Sequence, residues 1–335
     1  MPLLRFISVW MFLLILAWPV NGIAGSSVIK IATVAPEGST WSQILYQFAK
    51  EAGEKTANAV RFKIYAGGVS GDEMDVLRKM RVGRIHAAGF SGVGLGVLLP
   101  EVRILEAPLL FKDYSELDYI KAALFDRFEK GFNKKGYILL GFAEAGFVYF
   151  YAKSNLSGVE ALGKVKMWAW KGDPVAKTFL ETFGIRTYPL HVADVNTGLE
   201  TGMIDAFYSP PLAALAFQWY TRIQYVLDFP MVNSSGAFLM TRRAFSRLSP
   251  EHQKTIRKLA LKYCKKLVHQ SRMDNNQALE IFKAAGIERV SPTDRQLSAF
   301  RINAQKTHDK SIPSLYSRGL YKEVSTLLEK YRTGQ

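Results

Sequence analysis

The chain reads as an α/β protein folded in two lobes, and three features carry that expectation. Strand-like and helix-like segments alternate from residue 28 onward. About 310 residues follow an N-terminal leader, enough for two α/β units with separate cores. One helical pattern, from Ser249 to Ala285, reaches roughly 54 Å at 1.5 Å per residue, longer than one small domain needs.

The leader is read apart from the fold. Arg5 precedes an apolar run from Phe6 to Val20, and Gly22-Ile23-Ala24 supplies small residues that a signal peptidase reads. Export with cleavage after Ala24 is expected, giving residues 1–24 as a signal peptide. An apolar run of roughly 15 residues is shorter than the ~20 a membrane-spanning helix needs.

Val28–Thr33 is rich in β-formers, and Pro36-Glu37-Gly38-Ser39 makes a turn. Trp41, Ile44, Leu45, Phe48 and Ala52 then recur at helical spacing. Val60, Phe62 and Ile64 alternate as a strand, so the segment is a β-α-β unit with parallel strands. A second helix is expected over Asp72–Val82 and a strand over Ala87–Phe90, followed by the glycine-rich Ser91–Gly96. One helix is expected over Tyr114–Phe132, then a strand over Tyr137–Phe142 and an extended aromatic segment at Phe147–Ala152. The second lobe continues with the strand bearing Trp168 and a helix over Pro174–Phe183. A strand at Arg186–Leu190, a short helix capped by Asp194 and a buried strand at Met203–Phe207 follow. Tyr225–Leu227 and Ala237–Met240 read as short connecting strands. Ser249-Pro250-Glu251 is a strong helix start: a cap, a proline in the first turn and an acid at the positive end.

The 335-residue chain carries a formal charge of +15, and the leader holds only Arg5 of that excess. Such a basic exported chain favours anionic surfaces, and the lysine-rich side of the long helix reads first as a solvated face, with a docking surface for an acidic partner or a membrane as the alternative. Nucleic acid is not an expected partner, because no nucleic-acid motif is present. A single cysteine, Cys264, allows no internal disulfide, and its place within a helix suits a buried apolar residue. The five histidines show no zinc-ligand spacing, so no metal or cofactor is expected. Gly89-Phe90-Ser91-Gly92-Val93 lacks the last glycine of a hydrolase elbow. Gly92-Val93-Gly94-Leu95-Gly96-Val97 misses the dinucleotide spacing. Enzymatic activity is therefore not supported.

Four segments in order resemble one family. They are Ile29–Ser39 (IKIATVAPEGS), Tyr65–Glu73 (YAGGVSGDE), Glu106–Phe111 (EAPLLF) and Val195–Asp205 (VNTGLETGMID). They look like the DctP-type substrate-binding proteins of TRAP transporters. The resemblance implies a two-lobed periplasmic receptor with a long helix backing both lobes. It also implies a small-molecule ligand between the lobes and delivery to a membrane permease. The division expected is 25–149 plus about 237–272 for one lobe, and 150–236 plus about 273–335 for the other.

The chain departs from the family where the family binds carboxylates. The resemblance places an arginine, paired to a substrate carboxylate, where Trp168 stands here. A second arginine often follows the Gly-Phe pair, where Val148 follows Gly146-Phe147. Phe207-Tyr208-Ser209-Pro210 replaces a polar run, and Phe90 a frequently polar position. An unpaired carboxylate would be costly to desolvate in such a cleft, whereas apolar surface gains ~25 cal/mol per Å². The expected ligand is thus uncharged and hydrophobic or aromatic. Trp168, Trp170, Phe207, Tyr208 and Phe147 are the expected walls, with Val148, Phe90 and Trp41 beside them. Ser209, Tyr149 and Ser91 are the candidates to orient a polar end. Two alternatives stand beside this. The aromatic residues are core and the protein is a periplasmic accessory or interaction module, or a basic ligand is held by cation–π contacts with Trp168.

Overall fold

Ser39 starts the first helix, since its backbone is extended and its hydroxyl accepts from the Ser42 amide. The computed structural model describes residues 27–334, so the leader expected at 1–24 lies outside them. Strand β1 (Ser27–Ala32), helix α1 (Thr40–Lys55) and strand β2 (Val60–Tyr65) form the expected β-α-β unit. The strands are parallel and Ile29 stands opposite Phe62. Helix α2 (Glu73–Arg81) opens on a capping box between Asp72 and Asp75. Strand β3 (Ala87–Ser91) lies parallel to β1, and the glycine-rich stretch after it forms a short helix, α3 (Gly92–Leu98).

The single helix expected over 114–132 is two, α4 (Tyr114–Ala123) and α5 (Phe125–Lys134). Leu124 leaves helical geometry between them, with ψ near 4°. Phe128 and Phe132 then join Leu117 and Ile120 in one core.

Strands β4 (Tyr137–Ala152) and β8 (Tyr225–Thr241) correct a second expectation, because each is one long strand rather than two short pieces. They pair antiparallel from Tyr137 opposite Thr241 to Ala152 opposite Tyr225. Register shifts at Leu139/Gly141, Glu144/Gly146 and Val148/Phe150 let the ribbon bend from one half of the molecule to the other. Gly146 sits at φ +122°, and a Cβ there would lie 2.3 Å from Asn275 Nδ2. That amide donates to the Ala145 carbonyl at 2.7 Å, so glycine is required at the bend.

The second half holds α6 (Val159–Lys164), β5 (Lys166–Trp170), α7 (Pro174–Thr182) and β6 (Arg186–Leu190). Then come α8 (Val195–Glu200), β7 (Ala206–Ser209) and α9 (Pro211–Ala216). Asp194 makes no side-chain cap on α8, contrary to expectation. Asp173 does cap α7, accepting from the Val175 and Ala176 amides. A four-residue turn of helix, α10 (Arg242–Phe245), leads from β8 to the long helix α11 (Pro250–Ala284). Ile256, Leu259 and Cys264 of α11 enter a core of the first half, and Ala278 and Phe282 a core of the second. One helix thereby backs both lobes. Burial pushes the Cys264 thiol up to about 12, as suits a packing residue.

Strand β9 (Glu288–Val290) pairs with β8, followed by α12 (Asp294–Ser311) and α13 (Arg318–Thr333). Phe300 of α12 packs in the second half, but Leu320, Val324 and Leu328 of α13 pack in the first. Residues 273–335 therefore do not all sit with the second lobe, because the chain crosses back after α12. Among the described residues the strand order is β2-β1-β3-β8-β4-β7-β5-β6, with β9 beside β8.

Candidate functional site: the interlobe cleft

Between the two halves lies a cleft with about 900 Å³ of empty space, part of it open to solvent. The first half contributes the turn after β1, from Thr33 to Thr40, and then Trp41, Glu73 and Ser91. The second contributes Trp168, Trp170, Tyr208, Ser209 and a wall from Pro210 to Trp219. Ala145, Val148 and Ser234 of the crossing strands form the floor.

Seven of the expected residues meet here: Trp41, Ser91, Val148, Trp168, Trp170, Tyr208 and Ser209. Trp168 stacks on Tyr208 at 5.2 Å between ring centroids and on Trp170 at 6.2 Å. Its indole nitrogen donates to the Leu190 carbonyl at 3.1 Å, which fixes the ring and leaves it no free donor. Four expected residues do not line this cleft. Phe207 is fully buried in the second half, stacked on Tyr151 at 4.8 Å, because strand alternation turns it away from Tyr208. Phe90 is buried in the core of the first half. Phe147 packs against Tyr114 at 4.7 Å, and Tyr149 packs at the margin of the second-half core. Leu212, Phe217 and Trp219 line the wall unforeseen. Their signal was the aromatic run Phe217-Gln218-Trp219-Tyr220 closing an alanine-rich helix.

Glu73 is the one ionisable carboxylate, and the one formally charged residue, among the groups lining the cleft. Its oxygens accept from the Ser91 amide at 2.7 Å, the Ser91 hydroxyl at 3.0 Å and the Gly94 amide at 2.7 Å. Burial nevertheless pushes it up to about 7. Its acceptor capacity is thus turned toward the start of α3 rather than toward a ligand.

An inner compartment with about 590 Å³ of empty space, part of it open to solvent, shares Ser91, Val148, Trp170, Tyr208 and Ser234 with the cleft. It is lined further by Arg103, Glu106 and Asp173. Arg103 is 2% exposed. Its Nη2 donates to Asp173 Oδ1 at 2.7 Å, and its Nε lies 3.0 Å from Glu106 Oε2. Burial alone would favour losing the Arg103 proton, but Asp173 and Glu106 more than offset it and hold the charge. Glu106 is pushed up to about 7 by burial, with Arg103 opposing and Asp173 adding to the shift.

The glycines of α3 make room for these groups. A Cβ at Gly92 would lie 1.9 Å from Glu106 Oε2, one at Gly94 2.7 Å from Glu73 Oε2, and one at Gly96 2.7 Å from Arg103 Cδ. The pattern that fell short of a dinucleotide motif thus packs three buried charged side chains against one short helix. Arg103 was legible only as a charge inside the apolar run Val102–Leu105.

Among the described residues, side-chain polar contacts join the halves at two places beside the cleft. One is the Arg103–Asp173 pair. In the other, Asp72 Oδ2 accepts from the Trp170 indole at 3.1 Å and lies 2.9 Å from His191 Nδ1. The basic side of α11 is partly satisfied within the chain. Lys262 pairs with Glu51 at 2.6 Å, and Arg272 pairs with Asp118 and Glu144, each at 2.6 Å.

Two α/β lobes meet at this cleft, and one long helix packs against both. The family profile of bacterial extracellular solute-binding protein, family 7 (DctP), matches residues 31–314, and the chain belongs to that family. A solute-binding protein of Verminephrobacter eiseniae is 24% identical over 278 residues, covering 81% of this chain and 82% of the relative. The 2,3-diketo-L-gulonate-binding periplasmic protein of Escherichia coli is 24% identical over 249 residues, covering 72% and 74%. In fold, the chain is similar to a TRAP periplasmic solute-binding protein of Ralstonia eutropha with bound (S)-2-acetolactate. That match has a TM-score of 0.85 at 20% identity and covers 91% of this chain and 99% of the other.

Proposed function

We propose that this chain is the periplasmic receptor of a TRAP-type transporter, exported by its leader, that binds an uncharged hydrophobic or aromatic solute. It would close its lobes on that solute and hand it to a membrane permease. The lobes would divide near residue 149 and near residue 236, with α13 returning to the first. Relatives supply the receptor role, and those with named ligands take small acids, such as diketogulonate and acetolactate. The observation that carries the different cargo is the lining of the main cleft, tryptophan and aliphatic carbon without a lysine or arginine. A carboxylate placed there would lose its hydration with no cation to replace it, whereas an apolar body gains ~25 cal/mol per Å² it buries. The nearby Arg103 supplies no free charge, because Asp173 and Glu106 already face it.

Native mass spectrometry of gently purified protein, followed by solvent extraction, tests this. An uncharged apolar molecule should co-purify or be taken up from a metabolite extract. A bound carboxylic acid would overturn the proposed cargo and leave the receptor role standing. Trp168→Arg should abolish uptake of the apolar molecule while the variant still melts cooperatively. Unchanged affinity would remove Trp168 from the site.

A further inference from the structure

A pocket at the other end of the first half's strands plays no part in the solute-binding reading. It has about 760 Å³ of empty space, part of it open to solvent. His86, in its wall, immediately precedes β3, and Ser91 at the far end of β3 lines the cleft. Five steps of strand set the two spaces roughly 17 Å apart. Tyr137, the first residue of β4, lines the same pocket, while Val148 further along that strand floors the cleft.

Four cations converge on this pocket: Arg81, Lys135, Arg243 and Arg247. No aspartate or glutamate lines it, and none of the four makes an ion pair among the described residues. Other surface arginines are paired, since Arg127, Arg257, Arg289 and Arg332 each face a carboxylate. Two of the four cations have a structural account. Arg81 ends α2 and Lys135 caps α5, where the negative end of each helix offsets part of the charge. Arg243 and Arg247 have no such offset, because α10 is a single turn. Their field is felt within the pocket: burial first, and then the charges of Lys30 and Arg247, push His86 below its ordinary value. Like charges gathered around a concave space repel one another until an anion enters.

The lining sets the class of that anion. Guanidinium forks match phosphate oxygens in bidentate fashion. Val82, 68% exposed, lines the same pocket and offers carbon surface that a bare inorganic ion leaves unused. We propose that this pocket is a second binding site, separate from the solute cleft, for a phosphate ester. Arg243 and Arg247 hold the phosphate oxygens, and Val82 covers the carbon next to them. Glycerophosphate, free or as a lipid headgroup, has that chemistry. The site stands whatever the cleft carries.

Calorimetric titration of the purified protein with glycerol 3-phosphate at low salt tests the site. Sedimentation with phosphatidylglycerol vesicles, and with phosphatidylcholine vesicles as the neutral control, distinguishes the two sources. Two variants are compared. Arg243→Gln/Arg247→Gln removes two exposed charges at the pocket, and Arg301→Gln/Lys306→Gln removes two exposed charges from α12. The pocket variant should weaken glycerol 3-phosphate or phosphatidylglycerol binding at least about tenfold, and the α12 variant should stay within about twofold of the unmodified protein. Malonate, a dicarboxylate, should bind at least about fivefold more weakly than glycerol 3-phosphate. If only vesicle binding responds to the pocket variant, the ligand is a headgroup; if only the free ester responds, it is a soluble phosphate; either result keeps the site. Equal weakening by both variants would reduce the effect to net charge and overturn the site, as would no binding of ester or vesicles. Malonate binding as tightly as glycerol 3-phosphate would overturn the phosphate class.

Discussion

The main cleft and the inner compartment meet at Trp170 and Tyr208, yet they handle charge in opposite ways. In the cleft, Glu73 turns its oxygens into the start of α3 and leaves the walls to indole and aliphatic carbon. In the compartment, Arg103, Glu106 and Asp173 stay together, buried and mutually paired. The difference teaches that the presence of an arginine near a binding space does not make the space anion-binding. What counts is whether its charge is still free after the neighbouring carboxylates have been served.

The comparison can be broken most forcefully at Arg103. Arg103→Ala leaves Glu106 and Asp173 buried without their cation and should cost about 3–5 kcal/mol in urea unfolding. A loss under about 1 kcal/mol would mean that the trio is effectively solvated and that the contrast is false. Glu73 provides the next test, through pH. Its folded value of about 7 lies above the ordinary carboxyl value of 4.5, so the folded protein keeps a proton that the unfolded chain releases. The contribution of this group to stability is therefore full below about 4.5 and falls as pH rises towards 7. Glu73→Gln should lower stability at pH 5, yet flatten its decline between pH 5 and 8 by up to about 3 kcal/mol. An unaltered slope would show that Glu73 is ionised in the fold.

A smaller effect is expected at the contact between the halves. Trp170→Phe keeps a ring in the wall but removes the donor to Asp72, and should cost about 1 kcal/mol. A double-mutant cycle with Asp72→Asn should return a coupling of similar size, and a zero coupling would dissolve that link. The smallest effect belongs to the exposed counterpart of the buried trio, Lys262 with Glu51. Lys262→Ala should change stability by no more than about 0.5 kcal/mol, and any residual effect should fade in high salt.

Much of the frame was legible from local chemistry. Ser249 stands where a cap was expected and accepts from the backbone of the helix it starts, as Ser39 and Asp72 do for theirs. The stripe Ile44, Leu45, Phe48 faces the core as its spacing required. The long strands were harder to read, because the expected strand stopped at Phe142 where β4 runs on through bends at Gly141 and Gly146. In the site, aromatic content was legible but direction was not. Phe207 and Tyr208 are neighbours on one strand, and a period of two sends one into the core and the other towards the cleft. Nothing within the strand says which is which, since that depends on its register against β4, Tyr151 opposite Phe207.

By itself, the sequence determined the alternation of strands and helices, the long helix and its caps, and the tryptophans at 168 and 170, because these follow from residues within a few positions of one another. Only the tertiary structure decided that α13 returns to the first half, that Phe207 and Phe90 belong to cores, and that Arg103 meets Asp173. The partners in that ion pair are 70 positions apart in the chain. Whether such groups meet is set by how strands register and layers stack, and no local spacing encodes that choice.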